Sequence, residues 1–242
     1  MNSQTKAAQL PRWNEITAVF GGCFDPPHAG HKKAVAGLFE KPGVSKVLIL
    51  PCPTPAHKST VASAEDRVEM ARRCFINSNS DIQMELCELE RARKSPQHPT
   101  YSFDTLQELR QTYSTAIGFV IGADELLYLP KWYRFPEVLS LSHWIVLERK
   151  PFGSHPVRQV LQEWLASGLI AQTSLSDTWQ IRTLARPTGQ LSGPFLKVVS
   201  TEAADLSSSE IRKSFSLSGA CPADALDPEV LEYIKVRRLY GT

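Results

Sequence analysis

The chain has 242 residues, 42% hydrophobic and 21% charged, with a net charge of +2; that length supports one sizeable domain with a real core or two small ones. So slight a positive balance excludes the strong basic field of a nucleic-acid or anionic-membrane binder, and no apolar run approaches the roughly 20 residues of a membrane span. Five cysteines at irregular spacings (Cys23, Cys52, Cys74, Cys87, Cys221), with no C-x-x-C, argue against a disulfide framework, so a soluble cytoplasmic protein is expected.

Residues 1–12 are polar and unpatterned and read as a flexible extension. The apolar run Ile16 to Phe20 reads as a buried strand that Gly21-Gly22 breaks; after Pro26-Pro27 a helical pattern begins, with Ala34, Val35, Leu38 and Phe39. Glycines at such a turn let a ligand approach the backbone, and the helix start offers N–H groups and a positive dipole end, so the place suits a phosphate. His28 and His31, three apart, project to one face. Either histidine alone is better read as a helix cap; the pair together with the glycines and Asp25 favours an anion site. Zinc is disfavoured because no third ligand stands at useful spacing.

Lys46 to Leu50 is a second strand, and Pro51, Pro53 and Pro55 hold the next loop extended as far as His57 and Lys58. An exposed lysine on a surface loop is the plainer reading of Lys58. Ala64 to Ile76 is helical; Arg67 could reach the site from it, but its charge is better read as solvating the outer face, and Ile82, Met84 and Leu86 alternate as a half-exposed strand. Thr100 to about Tyr113 holds a further helix, N-capped by Ser102 or Thr100.

Ala116 to Ile121 is the clearest buried strand, and it ends at Gly122-Ala123-Asp124. Asp124, just past that carboxyl end, could accept from ribose hydroxyls, hold a magnesium shell, or only cap a helix. Trp132 and Tyr133 precede an apolar helix, Pro136 to Leu141; by itself Trp132 reads as core, with ring stacking the alternative. His143 to Leu147 is a fifth strand and Val157 to Ala166 a helix. Within residues 168–193, Thr178 to Leu184 could add a strand. Phe195 to Val199 is the sixth strand, followed by a serine-rich helix start, Ser207-Ser208-Ser209-Glu210-Ile211-Arg212, which fits both a capping box and a second anion site. A helix from Pro228 to Tyr240 closes the chain.

This alternation predicts a single α/β domain over residues 1–242: a Rossmann-like, doubly wound, mostly parallel six-stranded sheet with helices on both faces. Ligands of such sheets bind at the carboxyl ends of the strands, where the strand order reverses.

The run G-G-x-F-D-P-x-H-x-G-H, Gly21 to His31, resembles the signature of the HxGH nucleotidyltransferases, and its form with His28 resembles the nicotinate (nicotinamide) mononucleotide adenylyltransferases. Cys23 stands where that family has Thr or Ser, and residues 168–193 are longer than that family's usual segment there, which implies an insertion. The resemblance implies an ATP site of Gly21, Gly22, Cys23, Phe24, His28, His31, Gly122, Asp124, Ser207, Ser208, Ser209 and Arg212. It implies a mononucleotide site of Lys58, Thr100, Tyr101, Ser102, Trp132, Tyr133 and Arg149, with Trp132 facing the pyridine ring. His28, His31, Lys58 and Arg212 would be the catalytic residues. The implied reaction joins ATP and nicotinate mononucleotide into nicotinate adenine dinucleotide and pyrophosphate, in NAD biosynthesis; Mg2+ arrives with ATP and no metal site of the protein's own is implied.

Nicotinamide mononucleotide or another phosphate acceptor is the alternative substrate, including that of an HxGH transferase acting on phosphopantetheine or using CTP. A class I aminoacyl-tRNA synthetase is disfavoured by the lack of K-M-S-K-S. A reading of another class is a non-catalytic nucleotide sensor, against which the intact His28, His31, Lys58 and Arg212 count. Neither a nucleic-acid nor a membrane partner is expected, and a homo-oligomer is left open.

Overall fold

A computed structural model describes residues 10–55, 59–76, 83–86, 100–149, 154–182, 193–201 and 206–242. Six strands run parallel: β1 (Ile16–Gly22), β2 (Lys46–Pro51), β3 (Gln83–Leu86), β4 (Ala116–Gly122), β5 (His143–Arg149) and β8 (Phe195–Thr201). Their order across the sheet is β3-β2-β1-β4-β5-β8, and β7 (Thr178–Ile181) and β6 (Ile170–Gln172) continue it antiparallel beyond β8. The six expected parallel strands are thus present, and a hairpin from the 168–193 segment widens the sheet to eight.

Each strand alternates its side chains between two cores, as the pleat requires. Ala18 and Phe20 of β1 and Ile145 and Leu147 of β5 face one layer, built from α1 (Ala29–Glu40), α2 (Ala64–Phe75), α6 (Ser208–Ser218) and α7 (Pro228–Val236). Val19, Trp144 and Val146 face the other, with α3 (Ser102–Thr112), α4 (Ala123–Tyr128) and α5 (Ser154–Ala166). The chain winds from β1 through β2 to β3 in one direction, then restarts at β4 on the other side of β1. The β1/β4 junction is therefore the point of reversal.

Helix ends follow local chemistry. Ser63 caps α2 by accepting from the Asp66 N–H at 3.1 Å, Asp227 caps α7 with Pro228 behind it, and α6 stops at Gly219, whose φ of 65° suits glycine. Three expectations change. The cap of α3 is Tyr101, without a side-chain cap bond, and Ser102 is the first helical residue. Only Glu137–Leu141 of the apolar segment after Pro136 is helical, as a 3-10 turn. The last helix stops at Val236, and a separate turn, Leu239–Gly241, carries Tyr240 into the core. Among the described residues, no helix is long and apolar enough to cross a membrane.

Candidate active site

β1 ends at Gly21 and Gly22, and the next six residues turn back to start α1, with His28 at its N-cap and His31 three residues on. The two imidazoles pack against each other, 3.7 Å between ring centres and with their planes tilted by 34°. The His28 backbone N–H donates to His31 Nδ1 at 3.2 Å, so in the neutral ring the proton sits on Nε2 and His31 is a fixed donor. Two N–H groups of this helix start are already used: Ala29 donates to the Ala225 carbonyl and His31 to the His28 carbonyl, each at 2.9 Å.

The two glycines serve different ends. A Cβ on Gly22 would meet the Phe24 ring at 2.8 Å, so glycine is required there by the protein itself. A Cβ on Gly21 would find only ordinary contacts at 3.9 Å, so freedom from a side chain there benefits an occupant of the cavity. Phe24 is buried and holds a left-handed φ of 51°, a conformation that costs a bulky residue on the order of 1–3 kcal/mol. Its ring packs 5.3 Å from His31 and 5.4 Å from Phe75, which holds that conformation in place.

Asp25 ties the turn to distant parts of the chain. Its carboxylate accepts from the backbone N–H groups of Val61 (2.8 Å) and Ala62 (3.1 Å) and from the Tyr240 hydroxyl (2.7 Å). Burial and the neighbouring Asp25 carboxylate push the Tyr240 phenol far up, so it stays a hydrogen donor. Arg212, one turn into α6, donates to the Asp25 carbonyl at 2.6 Å and to Ser209 Oγ at 3.2 Å. Ser208 Oγ donates to the Pro26 carbonyl at 2.9 Å, and Ser207 Oγ to Glu210 Oε2 at 2.7 Å while accepting from the Glu210 N–H. Half of the expected capping box forms, since Ser207 Oγ accepts from the Glu210 N–H while the Glu210 carboxylate accepts from the Ser207 hydroxyl, and the serine-rich helix start is fastened to the His28 segment.

Arg67 stands where an outer-face charge was expected, yet it is 1% exposed. Its guanidinium donates to the carbonyls of Cys23 (2.9 Å), Cys52 (2.5 Å), Pro53 (2.6 Å) and Ala62 (3.3 Å). It thereby fixes the turn after β1 against the loop after β2. Asp66 beside it anchors the C-terminal helix through the Tyr233 hydroxyl (2.9 Å) and Arg237 (3.1 Å); burial alone would raise its carboxyl, but bonds from Ser63, Tyr233 and Arg237 bring it below the ordinary value.

These elements enclose a cavity of about 900 Å³ at the β1/β4 reversal. Gly21, Gly22, Cys23, Phe24, His28 and His31 line it from the first turn, Ser207, Ser208, Ser209 and Arg212 from α6, and Gly122 and Asp124 from the end of β4. Thr100, Tyr101, Ser102, Trp132 and Tyr133 complete its lining. The Thr100 N–H donates to the Thr54 carbonyl at 3.1 Å, and the Tyr101 and Tyr133 rings lie 4.8 Å apart. Trp132 packs 6.2 Å from the core ring of Trp144, in keeping with its core reading, and also lines the cavity. Lys58 lies outside the described residues. Arg149 pairs with Thr201 at the end of β5, and its side chain is also outside the description. Asp25 and Tyr240 are supporting residues that the sequence did not reveal as such, and for Arg67 the lesser of its two readings, a reach from its helix toward the site, is the one its bonds to the Cys23, Cys52 and Pro53 carbonyls favour.

Among the described residues no group of three or more His, Cys, Asp or Glu side chains could cage a metal ion. One exposed carboxylate, Asp124, at the cavity suits an ion that arrives on phosphates and keeps most of its waters.

A doubly wound sheet with the two histidines and a helix-borne arginine around its reversal point defines a nucleotidyltransferase, and residues 19–214 match the family model described as cytidylyltransferase-like. The chain is 33% identical over 228 residues to "Probable nicotinate-nucleotide adenylyltransferase" of Pectobacterium atrosepticum, covering 93% of this chain and 98% of that protein. It is 38% identical over 137 residues to "Nicotinate-nucleotide adenylyltransferase" of Bacillus subtilis, covering 55% of this chain and 69% of that one. The chain belongs to the nicotinate-nucleotide adenylyltransferase family. A nicotinic acid mononucleotide adenylyltransferase of Plasmodium falciparum, solved in complex with NaAD, shares the fold with a TM-score of 0.66 at 18% identity, over 93% of this chain and 97% of that one.

Proposed function

We propose that this chain transfers the adenylyl group of ATP to nicotinate mononucleotide, giving nicotinate adenine dinucleotide and pyrophosphate. The carrying observation is that His28, His31 and Arg212, from separate stretches of the chain, line one cavity together with Trp132, Tyr101 and Tyr133. The mononucleotide phosphate is already an anionic nucleophile, so no protein base or covalent intermediate is needed. Catalysis is then positioning and charge stabilisation.

In this reading the mononucleotide phosphate attacks the α-phosphorus of Mg·ATP in line, and pyrophosphate leaves with its magnesium ion. His31, a donor fixed by its Nδ1 bond, stabilises the α-phosphate oxygens as charge builds, with His28 packed beside it. The hydroxyls of Ser207 and Ser208 donate within the protein, so phosphate contact from α6 falls to the Ser209 hydroxyl, which accepts from Arg212 and keeps its own proton to donate, to the remaining donors of Arg212 and to backbone N–H groups. Lys58 neutralises the remaining phosphate charge. Trp132, Tyr101 and Tyr133 hold the pyridine ring by stacking, with Ser102 and the α3 start nearest its carboxylate; Asp124 accepts from the nucleotide.

Pyrophosphate release with Mg·ATP and either mononucleotide tests this reading. Turnover is expected with both, faster with the nicotinate form; release with neither would contradict the assignment.

A further inference from the structure

Four of the five cysteines lie among the described residues, and two of those share a place. β1 and β2 pair in parallel up to Gly22 opposite Pro51, so Cys23 and Cys52 are the next residues on the two neighbouring strands. The Cys52 N–H donates to the Gly22 carbonyl at 2.9 Å, continuing the ladder one step beyond the strand ends. A single nitrogen of Arg67 binds both their carbonyls, at 2.9 Å for Cys23 and 2.5 Å for Cys52. Both side chains are half-buried and line the same cavity, both thiols are reduced, and neighbouring parallel strands lie about 4.8 Å apart. Residues paired at that general spacing fall within the ~4.4–6.8 Å between Cα atoms that a disulfide accepts.

From this juxtaposition we propose that Cys23 and Cys52 form an oxidisable dithiol at the cavity, closing to an intramolecular disulfide that blocks the phosphate turn. With hydrogen peroxide as oxidant, one sulfur attacks a peroxide oxygen, the O–O bond breaks, and a sulfenic acid and water form. The second sulfur then displaces the hydroxyl from the sulfenic sulfur, and its proton leaves with that hydroxyl as water. Two thiols and one peroxide give one disulfide and two waters; each sulfur loses one electron and the peroxide gains two.

Cys74 provides an internal contrast. It is fully buried, and burial pushes its thiol up to about 12, so it does not compete for oxidant. The bridge fixes the residue beside Gly21 and Gly22 to the start of the loop that leads to Lys58, and its sulfurs occupy space on the cavity wall. The loss of turnover rests on the adenylyl-transfer reading; the formation of the bridge does not.

The experiment takes the full chain, reduces it, removes the reductant and titrates it with hydrogen peroxide, with peptide mapping and pyrophosphate release followed in parallel. The expected result is a linked peptide pair joining Cys23 to Cys52, 2 Da lighter than the two reduced peptides together, appearing as activity falls at least tenfold. Dithiothreitol reverses both, and Mg·ATP slows both. Cys52→Ser, compared with its own reduced activity, should lose most of the peroxide sensitivity and form no linked pair. Absence of the Cys23–Cys52 peptide after full oxidation overturns the proposal whatever the activity does. A linked pair with unchanged turnover overturns the block while leaving the dithiol standing, and a Cys52→Ser protein as sensitive as the parent also overturns the block.

Discussion

The cavity has two kinds of wall. Around His28, His31 and Arg212 the chain is fastened by directed bonds: Asp25 to Val61, Ala62 and Tyr240, Arg212 and Ser208 to the Asp25 and Pro26 carbonyls, and Arg67 to four carbonyls. Around Tyr101, Trp132 and Tyr133 the contacts are ring against ring, and Tyr133 is 49% exposed. The difference matches the two tasks. Stabilising charge that develops at one phosphorus needs donors fixed within a fraction of an ångström, whereas stacking on a flat ring tolerates small displacements.

Breaking the bonded wall should have the largest effect. His31→Ala should lower kcat by ~10²–10³, on the order of 2.7–4 kcal/mol of barrier, in a protein that still folds. Near-normal turnover in that variant would remove His31 from the chemistry. Arg67→Ala leaves several buried carbonyls without their donor and should cost on the order of 3 kcal/mol of folding stability, with activity lost as well. A denaturant midpoint equal to the parent's would show that the turn does not depend on it.

Both walls hang on the sheet, and His143 exposes that shared support to pH. It is 2% exposed, accepts from the Phe195 N–H at 3.2 Å, and burial lowers its imidazole from the ordinary 6.5 to about 4. Between those values the unfolded chain binds a proton that the fold refuses, so stability should fall as pH drops from about 6.5 to about 4, by up to roughly 3 kcal/mol. Denaturation midpoints read at intervals across that window should show the slope, and His143→Gln should flatten it. An unchanged slope in the variant would place the titration elsewhere.

The aromatic wall should give the smaller and more selective effect. Trp132→Ala is expected to raise KM for the mononucleotide by roughly 5- to 100-fold, corresponding to ~1–3 kcal/mol, with KM for ATP little changed. Equal rises for both substrates would mean that Trp132 supports the cavity through Trp144 rather than facing the pyridine ring.

The comparison of walls also accounts for what the sequence reveals. The parallel strands, the glycine turn and the histidine pair are legible because apolar runs and short-range spacing report them. The hydrogen bonds that fix the turn are not, because their acceptors are backbone carbonyls, which carry no residue identity. Arg67 sits on α2 at a position that reads as solvated, and only the carbonyls of Cys23, Cys52 and Pro53 turn it inward. Tyr240 reads as the end of a helix; its reach to Asp25 depends on the turn after Val236, with φ of 60° at Tyr240 itself. Gly22 was legible as a glycine but not for its reason, since the Phe24 ring that fills its Cβ position follows from a left-handed backbone.

Equilibrium binding of a non-hydrolysable ATP analogue and of nicotinate mononucleotide to the parent, Arg212→Ala and Trp132→Ala proteins tests the division of labour most directly. Arg212→Ala should weaken the ATP analogue at least tenfold with little change for the mononucleotide, and Trp132→Ala should do the reverse. Two variants that weaken both ligands alike, or neither, would contradict a cavity built from one wall for phosphates and another for the ring.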